Sequence, residues 1–128
     1  MKRVSLTICL FALVVLSIGC TTAFASDWYY VGTSDDGNVS AYIDNASVAK
    51  NNREATVWVK WTRSDGSQMI TPIYYTRHPK TSTWLYLAEY DTQGNVVDSE
   101  TISYYEQEAR PIVPDSMDEG IWYCIWPY

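Results

Sequence analysis

This sequence is poor in histidine and cysteine: His78 stands alone, and of three cysteines only Cys124 lies beyond residue 20. A single histidine excludes a zinc site built on paired histidines. A single cysteine in the body of the chain excludes an intramolecular disulfide framework. Also missing are a G-x-S-x-G nucleophile turn, a P-loop and a G-x-G-x-x-G loop. The turn Asp35-Asp36-Gly37-Asn38 does not match the D-x-[DN]-x-[DN]-G spacing of a calcium loop. No apolar run reaches the ~20 residues that a membrane-spanning helix needs. Positive charge is scarce too: nine Lys and Arg stand against fifteen Asp and Glu, for a net charge of -6. That balance repels a phosphate backbone and an anionic lipid surface, and it favours solubility. We therefore expect no nucleic-acid partner. No cofactor site and no catalytic constellation emerge from what remains, so the chain reads as non-enzymatic.

What is present begins with an export signal over residues 1-25. Lys2 and Arg3 make a basic start. Val4 to Ile18 is apolar apart from Ser5, Thr7, Cys9 and Ser17, and Ala23-Phe24-Ala25 supplies the small-x-small cleavage pattern. Cleavage after Ala25 takes 25 of the 128 residues and leaves 103, enough for one domain over residues 26-128 with a modest core. The signal removes two basic residues and no acidic ones, so the net charge becomes -8. A second reading takes Ser17-Ile18-Gly19-Cys20 as a lipobox and makes the chain an outer-membrane lipoprotein anchored at Cys20. Ser17 stands where a leucine-like residue belongs, and the A-x-A site is the better match. Either way, export to the cell surface or periplasm is expected.

The body of the chain alternates aromatic and β-branched runs with turn residues, the pattern of successive hairpins. Strands are expected over Trp28–Thr33, Val39–Asp44, Arg53–Arg63, Gln68–Arg77, Thr83–Tyr90 and Val96–Tyr105. Turns fall at 35–38, 64–67, 79–82 and 93–95. Residues 45–52 read as a polar loop or short helical turn. Val57, Val59 and Trp61 share one face of their strand, with Trp58, Lys60 and Thr62 on the other. Trp84, Tyr86, Ala88 and Tyr90 are expected opposite Leu85, Leu87 and Glu89. Pro72 cannot donate to a ladder, which marks a bulge or an edge. Large side chains occupy both faces of several strands, so part of the second face needs a cover.

The cover is expected from the end of the chain. Ser116 and Glu119 have capping-box spacing, preceded by Pro114 and Asp115. Ile121, Cys124 and Ile125 share one helical face, with Trp122 and Trp126 on a neighbouring one. Gly120 weakens such a helix by about 1 kcal/mol, which packing must offset. The fold class expected is α+β: roughly six antiparallel strands with a short C-terminal helix packed on them. Cys124 is expected in the buried stripe. The alternatives are a bridge between two chains, making a homodimer, and a reactive thiol, which no neighbouring basic residue favours.

The other polar residues have plain readings. His78, beside Pro79 in a turn, is expected to be solvated rather than a general base or a metal or haem ligand. Asp35 and Asp36 belong to a turn. Asp115, Asp118 and Glu119 suit the dipole of a helix start better than a glycosidase-like pair. The aromatics are the remaining signal. Trp58, Trp61, Trp84 and Tyr86 read as core or cross-strand pairs. The doublets Tyr29-Tyr30, Tyr74-Tyr75 and Tyr104-Tyr105 should each expose one ring, because strand neighbours point to opposite faces. A tyrosine-rich outer face suits contact with a protein, a sugar or a second copy of the chain.

The order of segments, from "AYIDNASV" (41–48) and "ATVWVKW" (55–61) through "YLAEYDTQGNVVDS" (86–99) to "IVPDSMDEGIWYC" (112–124), resembles the bacterial surface-adhesin protein E family. The resemblance covers nearly all of residues 26-128. It implies a small antiparallel sheet with a C-terminal helix, and an adhesin that contacts host matrix proteins; the family's named member also binds haem. Members pair a cysteine of a middle strand with the terminal one. Here "MITPIYYTRHP" (69–79) has none, and Cys124 keeps its place without that partner. No ligand-contacting segment matches residue by residue, so the resemblance assigns no binding site. The function expected is a non-enzymatic exported binding module, with a periplasmic structural or envelope-assembly role as the alternative.

Overall fold

The hairpin pattern folds into an antiparallel sheet with a helix on one side. The computed structural model describes residues 25–103 and 106–127. All but the last residue of the expected export signal, with Cys9 and Cys20, and the doublet Tyr104-Tyr105 lie outside the described residues. Nine strands are found among those described: β1 (Trp28–Thr33), β2 (Val39–Asp44), β3 (Ala49–Lys50), β4 (Glu54–Arg63), β5 (Gln68–Thr76), β6 (Thr81–Trp84), β7 (Tyr86–Tyr90), β8 (Val96–Thr101) and β9 (Arg110–Pro111). A 3-10 turn spans Asn45–Ser47, and helix α1 spans Met117–Ile125. The sheet runs β1-β2-β4-β5-β6-β9, with β3 also on β4, and β7 between β5 and β8.

The turns expected at 35–38, 64–67 and 93–95 form there, whereas the one expected at 79–82 lies at 77–80, because Thr81 and Ser82 pair in β6. Asp65 Oδ1 accepts from the Ser67 N–H at 2.8 Å, and Asp91 Oδ1 accepts from the Gln93 N–H at 2.9 Å. Gly66 then takes φ 91°, which a side chain would disfavour. Asp36 does the same work, accepting from the Ser34 hydroxyl and the Asn38 N–H. Those bonds hold its pKa down at about 2. The turn carboxylates are thus spent on local backbone.

One strand expectation is corrected. Thr83–Tyr90 is not continuous: it divides between β6 and β7 at Leu85. β6 pairs Ile73 with Trp84, whereas β7 pairs Ile70 with Ala88, a register one residue out of step. The cause lies across the sheet. Leu85 N–H donates to Pro72 O at 3.2 Å, so the carbonyl of Pro72 faces the break. In an antiparallel ladder a residue's N–H and C=O point to the same neighbour. The N–H that proline lacks is therefore the bond missing where β6 gives way to β7. An offset of one residue reverses which side the next side chains face. Trp84 stacks on Trp61, ring centroids 6.4 Å apart, while Tyr86 meets Trp58 on the opposite side, also at 6.4 Å. Trp84 and Tyr86 do not share a face.

The core lies between the sheet and α1. Ala41, Ile43, Val57, Val59, Ile73 and Tyr75 meet Ile121, Trp122, Ile125 and Trp126 there. The Ser116 side chain caps α1, accepting from Glu119 N–H at 3.2 Å. Glu119 Oε1 accepts in return from Asp115 N–H, one residue earlier than a capping box uses. Gly120 allows the helix to approach β1, since a Cβ there would stand 3.3 Å from Val31 Cγ1. The last turn of α1 has no basic residue of its own. Lys50, on β3, supplies one by donating to Ile125 O at 2.5 Å.

Cys124 is exposed, against expectation. The buried stripe of α1 is centred between Ile125 and Trp122, because both tryptophans turn inward. At about 100° per residue, Cys124 lies roughly 130° from that centre. The residue that takes the middle is Asp118, held by two hydrogen bonds to the sheet: Tyr75 OH donates to Oδ1 at 2.6 Å and Ser82 Oγ to Oδ2 at 2.7 Å.

Candidate functional site

α1 covers one side of the sheet. Alternation along β4 sends Ala55, Val57 and Val59 under the helix and leaves Trp58 and Lys60 on the open side. Strand register then builds a row across five strands: Tyr30, Tyr42, Lys60, Ile70 and Ala88 stand opposite one another in turn. Trp28 and Trp58 flank that row, and Tyr86 reaches Trp58 from β7. Tyr30 and Trp58 are 51% and 38% exposed, high for rings that a soluble domain could bury.

Lys60 sits at the centre. Its Nζ lies 4.4 Å from the Trp28 ring centroid and 4.9 Å from that of Tyr42, within cation–π range. Its partial burial lowers its pKa. Among the described residues it has no ion-pair partner. Tyr42 in turn packs edge-on against Tyr30 at 5.5 Å. Beside the row is a groove of about 360 Å³ lined by Trp28, Asp44, Ser47, Trp58 and Ile70. Asp44 is not free to work there. Its Oδ1 accepts from the N–H groups of Asp27 and Ala46, closing the 3-10 turn.

The tyrosine doublets resolve differently from one another. Tyr75 is fully buried under α1, while Tyr74 is half-buried on the open side and donates to Glu54 Oε2 at 2.6 Å. Tyr29 and Tyr30 are both exposed, since β1 is an edge strand and β-bulged at Val31. His78 is exposed on the turn between β5 and β6 and lines a second groove, away from the open face, with Arg77, Lys80 and Trp122. Glu119 at the helix start is paired with Lys80 at 2.9 Å. Among the described residues no three His, Cys, Asp or Glu side chains cluster to hold a metal ion, and no helix is long and apolar enough to cross a membrane.

The open face was partly legible in the sequence, because Trp58 and Lys60 alternate with the core residues of β4. The second groove was not, since its residues come from a turn and a helix about 40 positions apart. Set against protein-family models, curated proteins and solved structures, the chain matches none. The resemblance to the surface-adhesin protein E family rests on the quoted motifs and their order.

Proposed function

We propose that the chain is an exported, non-enzymatic binding module that holds a protein partner on the open sheet face. The observation that carries this reading is Lys60, a cation with no carboxylate partner among the described residues, held between the half-buried Trp28 and Tyr42 rings beside the exposed Tyr30 and Trp58. Tyr and Trp supply large contact area at low entropic cost and dominate binding hot spots. An acidic side chain of a partner would supply the counter-charge that Lys60 lacks among the described residues. The motif order favours a surface adhesin contacting host matrix proteins; the alternative is a partner within the cell envelope.

Protease shaving of intact producing cells separates these. Release of peptides from 26–128, with periplasmic markers retained, supports the adhesin. Release only after the outer barrier is broken moves the partner into the envelope. In either compartment, Trp58→Ala and Lys60→Gln should weaken partner capture at least tenfold while circular dichroism stays unchanged. Undiminished capture by both would remove the open face from the reading.

A further inference from the structure

A second groove, of about 380 Å³, opens where the β5–β6 turn meets the C-terminal half of α1. Arg77, His78 and Lys80 line it from the turn, and Trp122, Tyr123 and Trp126 from the helix. Its volume falls at the small end of ligand clefts. Its charges are unequal in what they do. Lys80 Nζ is paired with Glu119 Oε2 at 2.9 Å and lies 4.3 Å and 4.5 Å from the Trp122 and Tyr123 ring centroids. Its charge is matched, and it pins the two rings. Arg77 is different. Among the described residues its guanidinium has no hydrogen-bond or ion-pair partner, and its Nε is buried. Nε itself is closed to solvent and therefore to a ligand; the Nη groups keep solvent access, and they are what Arg77 offers the groove.

The aromatic wall is fixed and apolar. Trp122 Nε1 donates inward to Thr76 O at 3.1 Å, and Trp126 Nε1 donates to Asn51 O at 2.9 Å. Both indole N–H groups are thereby spent on backbone, and what the two residues offer the groove is carbon. The wall is held without a ligand, which lowers the ordering cost of binding.

We propose that this groove binds a small organic carboxylate, its oxygens on the Arg77 guanidinium and its compact apolar body against Trp122 and Trp126. A guanidinium matches the planar carboxylate fork in a way that an ammonium does not. The charge count selects a monoanion: Arg77 is the groove's one unmatched cation among the described residues. A dianionic phosphate would leave excess negative charge on a chain already at -6. This site is separate from the open sheet face and does not depend on that reading.

The test is titration of the protein with benzoate, glucuronate and benzyl alcohol, followed by the indole N–H signals of Trp122 and Trp126. Saturable shifts of those two signals with benzoate, and at least tenfold weaker binding of benzyl alcohol, are expected. Glucuronate matching benzoate would identify acidic sugars as a source; benzoate alone would identify apolar acids. Arg77→Gln should weaken the acid at least tenfold, Arg77→Lys less, and the distant Arg63→Gln not at all. The wild-type signals test the idea even if an Arg77 variant fails to fold. Equal binding of alcohol and acid, no shift with either acid, binding unchanged in Arg77→Gln, or binding of an acidic peptide but neither acid would overturn the proposal.

Discussion

The hydroxyl of Tyr75, a fully buried residue of the sheet, donates at 2.6 Å to Asp118 Oδ1 in the first turn of α1. This bond joins the two layers at their centre and removes a buried hydroxyl from want of a partner. Burial first, and then the charge and hydrogen bond of Asp118, push the Tyr75 pKa well up from its ordinary value. Unfolded, Tyr75 loses its proton near pH 10; folded, it keeps it. The unfolded state therefore sheds protons first, and stability present below pH 10 falls as pH rises beyond it. Urea unfolding between pH 8 and pH 11 should show this loss. Tyr75→Phe should cost about 2 kcal/mol at neutral pH, as for a hydrogen bond to a charged group, and should flatten the alkaline fall. An equally steep fall in Tyr75→Phe would mean that another group governs it.

Ser116→Ala removes the acceptor of the Glu119 N–H. The expected loss is about 1 kcal/mol in chemical denaturation. Ser116→Asp should recover most of it, because a carboxylate also caps and suits the helix N-terminus. If alanine and aspartate behave alike, the cap contributes nothing.

Trp61 and Trp58, three residues apart on β4, should respond unequally to truncation. Trp61 is stacked on Trp84 on the helix side. Trp61→Ala should destabilise by about 3 kcal/mol. Trp58 is exposed and meets Tyr86 edge-on, and Trp58→Ala should cost about 1 kcal/mol. Thermal melts of both variants check the assignment of the two faces. Similar losses would contradict it.

Cys124→Ser should change stability by less than about 0.5 kcal/mol, as for an exposed position. A buried thiol would have cost more. Neighbouring protein withdraws water from the sulfur and raises its pKa, so alkylation at neutral pH should be slower than for a free thiol. A non-reducing gel of the protein reads the remaining alternative. A covalent dimer lost in Cys124→Ser would establish the bridge between chains, and its absence would leave a surface thiol.

The local devices are legible from short stretches of residues. Asp-x-x and Gly turns, alternation along β4 and the Ser116 cap depend on neighbours a few residues away, and each is found as expected. The sheet-plus-helix class followed from the strand alternation and the cap, but the helix covers the face of Val57 and Val59, and the face of Trp58 and Lys60, expected to be partly covered, stays open. The remaining features depend on partners far along the chain. Pro72 interrupts the ladder of a strand thirteen residues later, and Trp84 and Tyr86 part company for that reason. Lys50 closes the C-terminus of a helix 75 positions away, which no reading of the helix alone could supply. Cys124 left the core because two tryptophans, bonded to Thr76 on β5 and to Asn51 in the β3–β4 turn, set the rotation of α1, and spacing alone cannot choose between adjacent helical faces. Arg77 and Lys60, unmatched among the described residues, belong to the same class: whether a charge has a partner depends on residues distant in sequence.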